Sequence, residues 1–335
     1  MIFRFDIFKI KMYLLYPITL LWISNPKSNP LIMKYLSFLL LALCSSAYIT
    51  AQSDLDIFTL SGRYGFPQEY ETTYDEKATE TGILANLQYG KSFSESTIWY
   101  SQLTFTNFRV KNDNSMPDDI ANPINVYGFI LQTGLYQKFS NGRGMQLLIA
   151  PRFMTDFNNV DGGHFQFGGV ALYEKRFSDK LMMRFGAMLH DELGGPYMVP
   201  IVYTDWQISS KWSLKGNWPI SGKIKYQVND NLSTGISHFG LVTSYKLGHP
   251  DYQGDYIERT SIDECLFARV RIVGNIHLEG RLGYALGRSY SQYDADQKAD
   301  FRITIIKFGD NRVAKNVNFN PGPIALLRLV YNLPL

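Results

Sequence analysis

Apolar and polar residues alternate with a period of two along much of this chain. In the last stretch, Leu327, Leu329 and Tyr331 fall on one side of an extended strand, and Arg328 and Asn332 fall on the other. The same alternation recurs upstream and predicts a chain built from β-strands, without a convincing helix. The clearest predicted strands span residues 80–92, 126–139, 145–157, 165–177, 181–190 and 276–286.

Strand length and connection length together favour a membrane barrel. Each alternating stretch has about 10 to 16 residues, whereas a tilted spanning strand needs roughly 9–11 and soluble sandwich strands are nearer to about 5–6. Short polar turns such as 140–143 alternate with longer connections such as 111–123. Short periplasmic turns and longer outer loops are typical of outer-membrane barrels. The sequence therefore predicts an all-β fold, an antiparallel transmembrane β-barrel.

The region 212–228 decides the predicted number of strands. Taken as one strand, it breaks the alternation of long and short connections, but taken as a hairpin bent at Pro219 and Gly222 it preserves that alternation. The hairpin gives about 14 strands, with about 12 as the alternative. Residues 301–308 are also strand-like, and we assign them to a structured outer loop or an extension above the membrane. We predict that the connection 191–196 is another long outer loop.

Residues 33–51 have the features of a secretory signal peptide. Met33 begins a short basic start, residues 36–43 form the apolar core, and small Ala51 precedes a plausible cleavage point. The apolar core is much shorter than the roughly 20 residues of a spanning helix, so it is not a membrane anchor. A lipoprotein signal ending at Cys44 is disfavoured, because the residue before that cysteine is not small.

Residues 1–32 precede a signal peptide that needs nothing in front of it. We interpret them as an over-extended N-terminus, with translation starting at Met33; the alternative is an unusually long basic region of the signal. The predicted barrel then occupies residues 52–335.

Composition excludes several classes of protein. Mean hydropathy is −0.14, and no apolar run after the signal peptide approaches the length of a spanning helix, which excludes a helical membrane protein. Aromatic residues make up 15% of the chain, and a barrel accommodates them because its apolar residues alternate with polar ones. Cys265 stays alone after signal removal, which excludes an internal disulfide. A net charge of +3 without basic clusters gives no argument for nucleic acid.

Several turn and strand motifs resemble those of a known family. They are the signal ending Thr50-Ala51-Gln52, the segment 212–219, Tyr226 and the turn 229–233. On these motifs the chain resembles an uncharacterised family of outer-membrane β-barrel proteins, a domain of unknown function typical of Bacteroidota. The resemblance covers most of the mature chain and implies a barrel in the outer membrane. It implies neither an established substrate nor catalytic residues.

Charged residues on the inward faces of the predicted strands admit two interpretations. If they line an open lumen, their positive bias would conduct or bind anions, because rings of charge set the selectivity of pores. If they pair across neighbouring strands, they fill and plug a narrow barrel. The candidate lumen-lining residues are Lys138, Arg152, Glu174, Arg176, Arg184, Arg269, Arg271, Glu279 and Arg281.

Nothing in the sequence predicts an enzyme, a cofactor or a metal site. Ser237 and His238 are adjacent on a strand and point to opposite faces, so they cannot act as a nucleophile and its base. Polar residues near one rim leave a barrel-bound lipid hydrolase or a divalent-cation site as a minor alternative. These rim residues are Asp156, Asp161, His164, His190, Asp191 and Glu192.

The sequence thus predicts an outer-membrane barrel and two classes of function. The first is a narrow channel or a small-solute binding barrel with a positively biased lumen. The alternative is a structural or adhesive surface barrel with a plugged lumen. The expected partners are outer-membrane lipid, the barrel-assembly machinery and, for the first class, a small solute.

Overall fold

A computed structural model gives the fold of the chain downstream of its N-terminal region. The predicted signal peptide, the segment 1–32 and the final Pro334-Leu335 lie outside the described residues. Within the described part of the chain, no helix is long and apolar enough to cross a membrane. The structure describes residues 55–71, 76–112, 115–252 and 254–333.

Across these residues, eighteen strands belong to one sheet. Two single turns of 3-10 helix, Gly162–His164 and Pro250–Tyr252, interrupt the connections. The strands are β1 (Leu55–Glu69), β2 (Lys77–Ser92), β3 (Thr97–Lys111), β4 (Ile124–Lys138), β5 (Arg143–Ile149), β6 (Arg152–Thr155), β7 (Phe165–Gln166), β8 (Gly168–Ser178), β9 (Leu181–Glu192), β10 (Gly195–Gln207), β11 (Trp212–Trp218), β12 (Ser221–Asn229), β13 (Leu232–Lys246), β14 (Tyr256–Val273), β15 (Ile276–Tyr293), β16 (Phe301–Ile303), β17 (Ile306–Phe308) and β18 (Gly322–Leu333).

The described strands close into an antiparallel barrel of 14 wall positions, which confirms the predicted fold. Closure is direct, because β1 pairs with β2 on one side and with β18 on the other. β5 and β6 share one position, as do β7 and β8, and the β16–β17 hairpin belongs to a connection outside the fourteen. The region 212–228 forms the two strands β11 and β12, as the hairpin interpretation predicts.

The two ends of the barrel differ in their connections. At one end, here called the turn end, strands are joined by tight turns and both Leu55 and Leu333 lie there. The β4–β5 turn is typical: Asn141 and Gly142 take positive φ angles of 59° and 66°, which suits an Asn-Gly hairpin turn. The opposite end, here called the loop end, carries the longer connections.

One predicted loop-end connection is wrong. Residues 191–196 were expected to form a long outer loop, but β9 continues to Glu192 and β10 begins at Gly195. Only Leu193 and Gly194 separate the strands, and Gly195 takes a φ of +106° that a side chain would strain. The glycine-rich composition marks a tight turn here rather than a long loop.

The last strand, β18, shows the predicted alternation between an outward apolar face and an inward face. Leu327, Leu329 and Tyr331 of β18 are exposed on the outward face, whereas Val330 and Asn332 are buried inside. Such an outward apolar row is what a lipid-facing strand presents. Because the ladder closes on itself, the wall leaves no sheet edge along most of its circumference, which is the condition for spanning a bilayer with strands.

The loop-end halves of β13, β14 and β15 bend into the lumen. The ladder between β14 and β15 is irregular at Ser261, and Gly287 on the opposing strand takes a φ of +55°; such bulges bend a strand. Beyond this point residues 256–259 and 290–293 are buried on both faces. We call the inward-bent segments, residues 241–247, 256–261 and 288–293, the plug.

The plug reaches the opposite side of the barrel. The Tyr245 hydroxyl lies 3.4 Å from Thr106 Oγ1 on β3, and Lys246 forms a parallel ladder contact with Thr155 on β6. Tyr245 is fully buried in an apolar cluster that includes Phe108 and other side chains from β2, β3, β4 and β6. Backbone as well as side chains therefore fills the loop-end half of the lumen.

A long connection takes the wall position that the plug leaves. We call residues 294–321 the covering loop. Its backbone follows the end of β1, where Asn320 N donates to Glu69 O at 2.9 Å and Tyr70 pairs with Phe319. It also satisfies the free edge of β15: the amide of Tyr290 donates to Asn318 Oδ1 at 2.7 Å.

Two phenylalanines of the covering loop give a matched test of this packing. Phe319 is buried and stacks on Tyr290 with ring centroids 6.1 Å apart, whereas Phe308 is exposed. We expect Phe319→Ala to lower the free energy of unfolding by about 3–5 kcal/mol, because it leaves a cavity under the loop. Phe308→Ala should change it by less than about 1 kcal/mol. Urea titration of the protein in lipid vesicles measures both; equal losses would contradict the proposed packing.

Candidate functional site

The inward faces of the turn-end half carry a network of charges around Glu279. Lys223 Nζ lies 2.8 Å from Glu279 Oε2, Arg269 Nε lies 2.7 Å from the same oxygen, and Arg281 Nη2 lies 2.7 Å from Oε1. Arg328 approaches Oε1 at 2.5 Å from β18. Glu279 is completely buried, so its charge is offset by cations rather than by water.

A second carboxylate, Asp56, completes this network. Arg269 holds it bidentately, with Nη1–Oδ1 and Nη2–Oδ2 distances of 2.9 and 2.7 Å, and Asn332 Nδ2 donates to it at 2.8 Å. Positive charge exceeds negative charge in this group. We call it the Glu279 network: Asp56, Lys223, Arg269, Glu279, Arg281 and Arg328.

A further network lies against the plug and centres on Glu80 of β2. Arg63 Nη2 and Arg259 Nη2 each lie 3.0 Å from the carboxylate, and Arg288 Nη1 lies 3.2 Å from it. The Tyr290 hydroxyl donates to Oε1 at 2.5 Å. Because Glu80 and these arginines are almost fully shielded from solvent, each charge depends on the others for its stability.

Apolar and acidic neighbours complete the Glu80 network. The Arg259 guanidinium lies 3.8 Å from the centroid of the Phe108 ring, a cation–π contact that a desolvated site strengthens. Asp263 contacts Arg63 and accepts a hydrogen bond from Ser261 Oγ at 2.6 Å. The Glu80 network is Arg63, Glu80, Arg259, Asp263, Arg288 and Tyr290.

Sequence reasoning missed the Glu80 network. Arg63 lies on β1, where alternation from Leu60 to Tyr64 carries a usable signal for an inward arginine. Arg288 follows the bulge at Gly287, where a strict period of two loses its register. Glu80 was placed inside a predicted strand, but its partners come from strands far apart in the chain.

Two more groups of predicted candidates are paired across strands. Arg184 Nε lies 2.8 Å from Glu174 Oε2, and Tyr136 donates to the other carboxylate oxygen at 2.7 Å. Arg152 contacts Glu192, whose Oε2 also accepts from Ser244 N at 2.9 Å. Ser244 belongs to the plug, so this second group joins the plug to the wall.

The structure places the remaining predicted candidates away from these networks. Lys138 and Arg271 lie near the turn end with exposed side chains, and Arg176 is half-buried beside the Gly142 turn. The structure thus brings Arg269, Glu279 and Arg281 together, as a predicted charged group on one face. Of the other candidates, Glu174 pairs with Arg184 and Arg152 pairs with Glu192. The structure also adds Asp56, Lys223 and Arg328 to the Glu279 network, from strands that meet only when the barrel closes.

Most of the residues considered for catalysis or metal binding have structural partners, whereas both ring nitrogens of His190 are buried without a hydrogen-bond partner. Ser237 donates to Cys265 O at 3.4 Å on the inward side, whereas His238 Nε2 lies 2.6 Å from Pro219 O. Asp161 and His164 form a capping box around the 3-10 turn. Across the described residues, no group of three or more His, Cys, Asp or Glu side chains could hold a metal ion.

Cavities lie at the loop end. One of about 510 Å³ is lined by Phe167, Leu189, Pro196, Tyr197 and Phe301, with His190, Asp191 and two glycines beside them; we call it the Phe167–Phe301 groove. Another, of about 260 Å³, lies beside Asp156 and is more polar. The Asp156 carboxylate is already engaged there, since its Oδ1 accepts a backbone hydrogen bond from Gly248 at 3.0 Å.

The ion pair between Asp161 and Lys246 fastens a loop to the end of β13. Lys246 Nζ lies 2.7 Å from Asp161 Oδ2. Hydrogen bonding from Lys246, together with the amide of Gly163, lowers the pKa of Asp161 from 3.8 to about 2. The pair sits at the exposed loop end.

The comparisons with known proteins place the chain in a family without assigning a function. A family model described as "Domain of unknown function (DUF6268)" matches residues 69–322. Among curated proteins, none matches the sequence.

Solved structures with similar folds are outer-membrane barrels of remote sequence. The COG4313 outer membrane channel from Pseudomonas putida F1 is 10% identical, covers 86% of this chain and 99% of its own, and has a TM-score of 0.39. The NanC porin is 9% identical over 82% and 100%, with a TM-score of 0.33. The translocator domain of the autotransporter NalP from Neisseria meningitidis is 10% identical over 90% and 95%, with a TM-score of 0.32. TM-scores this low carry no argument about this chain.

A buried and an exposed ion pair both join β1 to β2, and they give a matched test: Arg63 with Glu80, and Glu69 with Lys77. Glu80→Gln removes a carboxylate and leaves buried arginines uncompensated, so we expect a loss of about 3–5 kcal/mol in the free energy of unfolding. Glu69→Gln breaks only the exposed pair with Lys77 and should cost at most about 1 kcal/mol. Urea titration in lipid vesicles compares them. A loss no larger for Glu80→Gln than for Glu69→Gln would contradict the network's role.

The lowered pKa of Asp161 predicts an acid response of its loop. A carboxyl whose pKa is lower in the folded state stabilises the fold above its unfolded value of 3.8 and loses that effect as the pH falls toward about 2. We expect amide protection of residues 158–163 in hydrogen exchange to fall over this interval. Asp161→Asn should show the low protection already at neutral pH. Equal protection of both proteins at neutral pH would contradict the role of the pair.

Proposed function

The chain belongs to the family described as a domain of unknown function (DUF6268), and we propose that it is an outer-membrane β-barrel whose lumen is closed along its axis. In this proposal the protein is a structural surface barrel and not an open pore. Its outward apolar face contacts membrane lipid, its loop end faces the exterior, and its insertion depends on the barrel-assembly machinery. It is proposed to have no enzymatic activity.

The observation that carries this proposal is the path of the plug. Ser244 and Tyr245 contact β9 and β3 across the lumen, and the side chains around them are buried. A solute moving along the axis would have to displace backbone that is hydrogen-bonded to the opposite wall. Moving the plug away from the wall would break buried ion pairs such as Arg259–Glu80. Breaking a buried pair is costly, because each charge is left without its partner.

A second candidate function is a narrow path for anions. The Glu279 network favours it, because Lys223, Arg269, Arg281 and Arg328 exceed the two carboxylates that they face. An excess of fixed positive charge selects anions in a pore. This candidate requires that the plug move, since the network lies in the turn-end half and the plug fills the loop-end half.

Single-channel recording in planar lipid bilayers tests the closed lumen. We expect the unaltered protein to give no conductance steps, because the plug blocks the axis. The double variant Ser244→Ala, Tyr245→Ala removes the hydroxyl and ring contacts of the plug, and we expect it to produce brief openings. Ser213→Ala, at a half-buried position on β11 outside the plug, is the control and should stay silent.

The outcome also separates the two candidate functions. Regular anion-selective steps from the unaltered protein would overturn the closed lumen and favour the anion path. In that case Arg281→Glu should reduce or reverse the selectivity, because it changes the charge of the Glu279 network. Silence from both the unaltered protein and the plug variant would contradict the plug as the element that closes the lumen.

A further inference from the structure

The β16–β17 hairpin occupies a gap in the barrel wall. β11 and β12 are short, and their turn at Trp218–Ile220 leaves the loop-end part of β10 without an antiparallel neighbour on that side. β16 fills this place by pairing in parallel with β10, Tyr197 with Arg302 and Met198 with Ile303. Thr304 N donates to Met198 O at 3.0 Å. The tip of the hairpin therefore points along β10 toward the short β11–β12 turn.

The hairpin presents apolar side chains to the outside. Ile305 is 71% exposed, and Ile306 and Phe308 are about half exposed. An exposed apolar surface of this kind marks a contact with lipid or with another protein. A hydrated loop tip would instead carry polar residues at these positions.

Buried polar contacts hold the inner side of the hairpin to the plug. Arg302 contacts Glu258 and donates from Nη2 to Gly195 O at 3.0 Å. Arg312 Nη1 lies 2.8 Å from Glu258 Oε2, and Lys307 Nζ lies 3.4 Å from Oε1. The charged residues thus face inward and the isoleucines face outward, which is the polarity of a barrel wall and not that of a solvated loop.

The position along β10 places the hairpin inside the apolar layer. β9 has 12 residues, little more than the roughly 9–11 that a tilted strand needs to cross the hydrocarbon core. Nearly all of β9 must then lie within that core, including Leu189, whose ladder partner on β10 is Met198. Ile303 pairs with the same Met198, so the hairpin tip lies at the depth of Leu189 or deeper in the hydrocarbon core.

The Phe167–Phe301 groove joins this surface to the rest of the outward face. Phe301 of β16 forms one side and Phe167 the other, with Leu189 and Pro196 between them. Its volume of about 510 Å³ lies within the range of small-ligand sites, which are about 300–1,000 Å³. The groove opens on the same apolar face that the wall strands present.

We propose that the β16–β17 hairpin is a membrane-embedded part of the wall, and that its apolar face and the Phe167–Phe301 groove bind lipid acyl chains. The proposal rests on the proposed outer-membrane location. It assigns residues 301–308 to the lipid layer instead of to an exposed loop. The occupant is an acyl chain because the surface is continuous with the outward apolar face of β9 and β10. Asp191, the exposed acidic residue of the groove lining, lies at the loop-end rim, one residue before the end of β9.

Nitroxide labels measure this contact directly. Single cysteines replace Ile305, Leu189, Leu266 or Asp296 in a protein whose Cys44 and Cys265 are alanine, reconstituted in dioleoylphosphatidylcholine vesicles. Oxygen concentrates among acyl chains, whereas a nickel chelate stays in water. We expect the oxygen-to-nickel collision ratio at Ile305 and Leu189 to equal that at Leu266, an outward position in mid-wall, and to exceed that at Asp296 severalfold.

The other possible results each contradict one part of the proposal: the embedded hairpin, the groove or the outer-membrane location. A ratio at Ile305 equal to that at Asp296 would show a hydrated loop and overturn the embedded hairpin. A label at Ile305 that neither reagent reaches would show a protein contact and overturn it as well. If Leu266 is also accessible to the nickel chelate, the outer-membrane barrel itself fails. A lipid-like ratio at Ile305 with a water-like ratio at Leu189 would overturn the groove as an acyl-chain site.

Discussion

The width of a fourteen-strand barrel is the constraint on which the rest of this structure depends. An eight-strand barrel has an interior that side chains can just fill, whereas barrels of sixteen or more leave an aqueous passage. This chain lies between those limits and fills part of its lumen with backbone. The bent ends of β13, β14 and β15 supply that backbone, and their inward course leaves a vacancy in the wall. The covering loop and its hairpin occupy that vacancy.

Buried charge follows from the same constraint. Strand ends drawn into a lumen bring their polar side chains with them, and those side chains lose water. The Glu80 and Glu279 carboxylates each collect several cations from different strands, and Glu258 does so beneath the covering loop. Such networks add little net stability over well-packed apolar residues, but removing one member is costly. The Glu80 network joins strands of the wall to the plug, and the contacts of Glu258 join the plug to the covering loop.

The sequence predicted the parts of this fold that depend on local alternation. The outward row of Leu327, Leu329 and Tyr331, the hairpin in 212–228 and the closed barrel all follow from a period of two and from connection lengths. The plug could not be predicted in this way. A bulge at Gly287 shifts the register, and pairs such as Arg288 with Glu80 join residues 208 positions apart, so only the closed tertiary structure brings them together.

The plug is not a separate domain, and this limits how the molecule can change. Residues 241–247 continue directly into β13, and residues 256–261 and 288–293 continue into β14 and β15. A plug formed by its own domain can swing out or be deleted while the wall persists. Here the obstruction and the wall are one continuous set of strands, so clearing the lumen means straightening those strands and displacing the covering loop from the wall. A deletion that removed the plug would therefore also shorten three strands of the barrel wall.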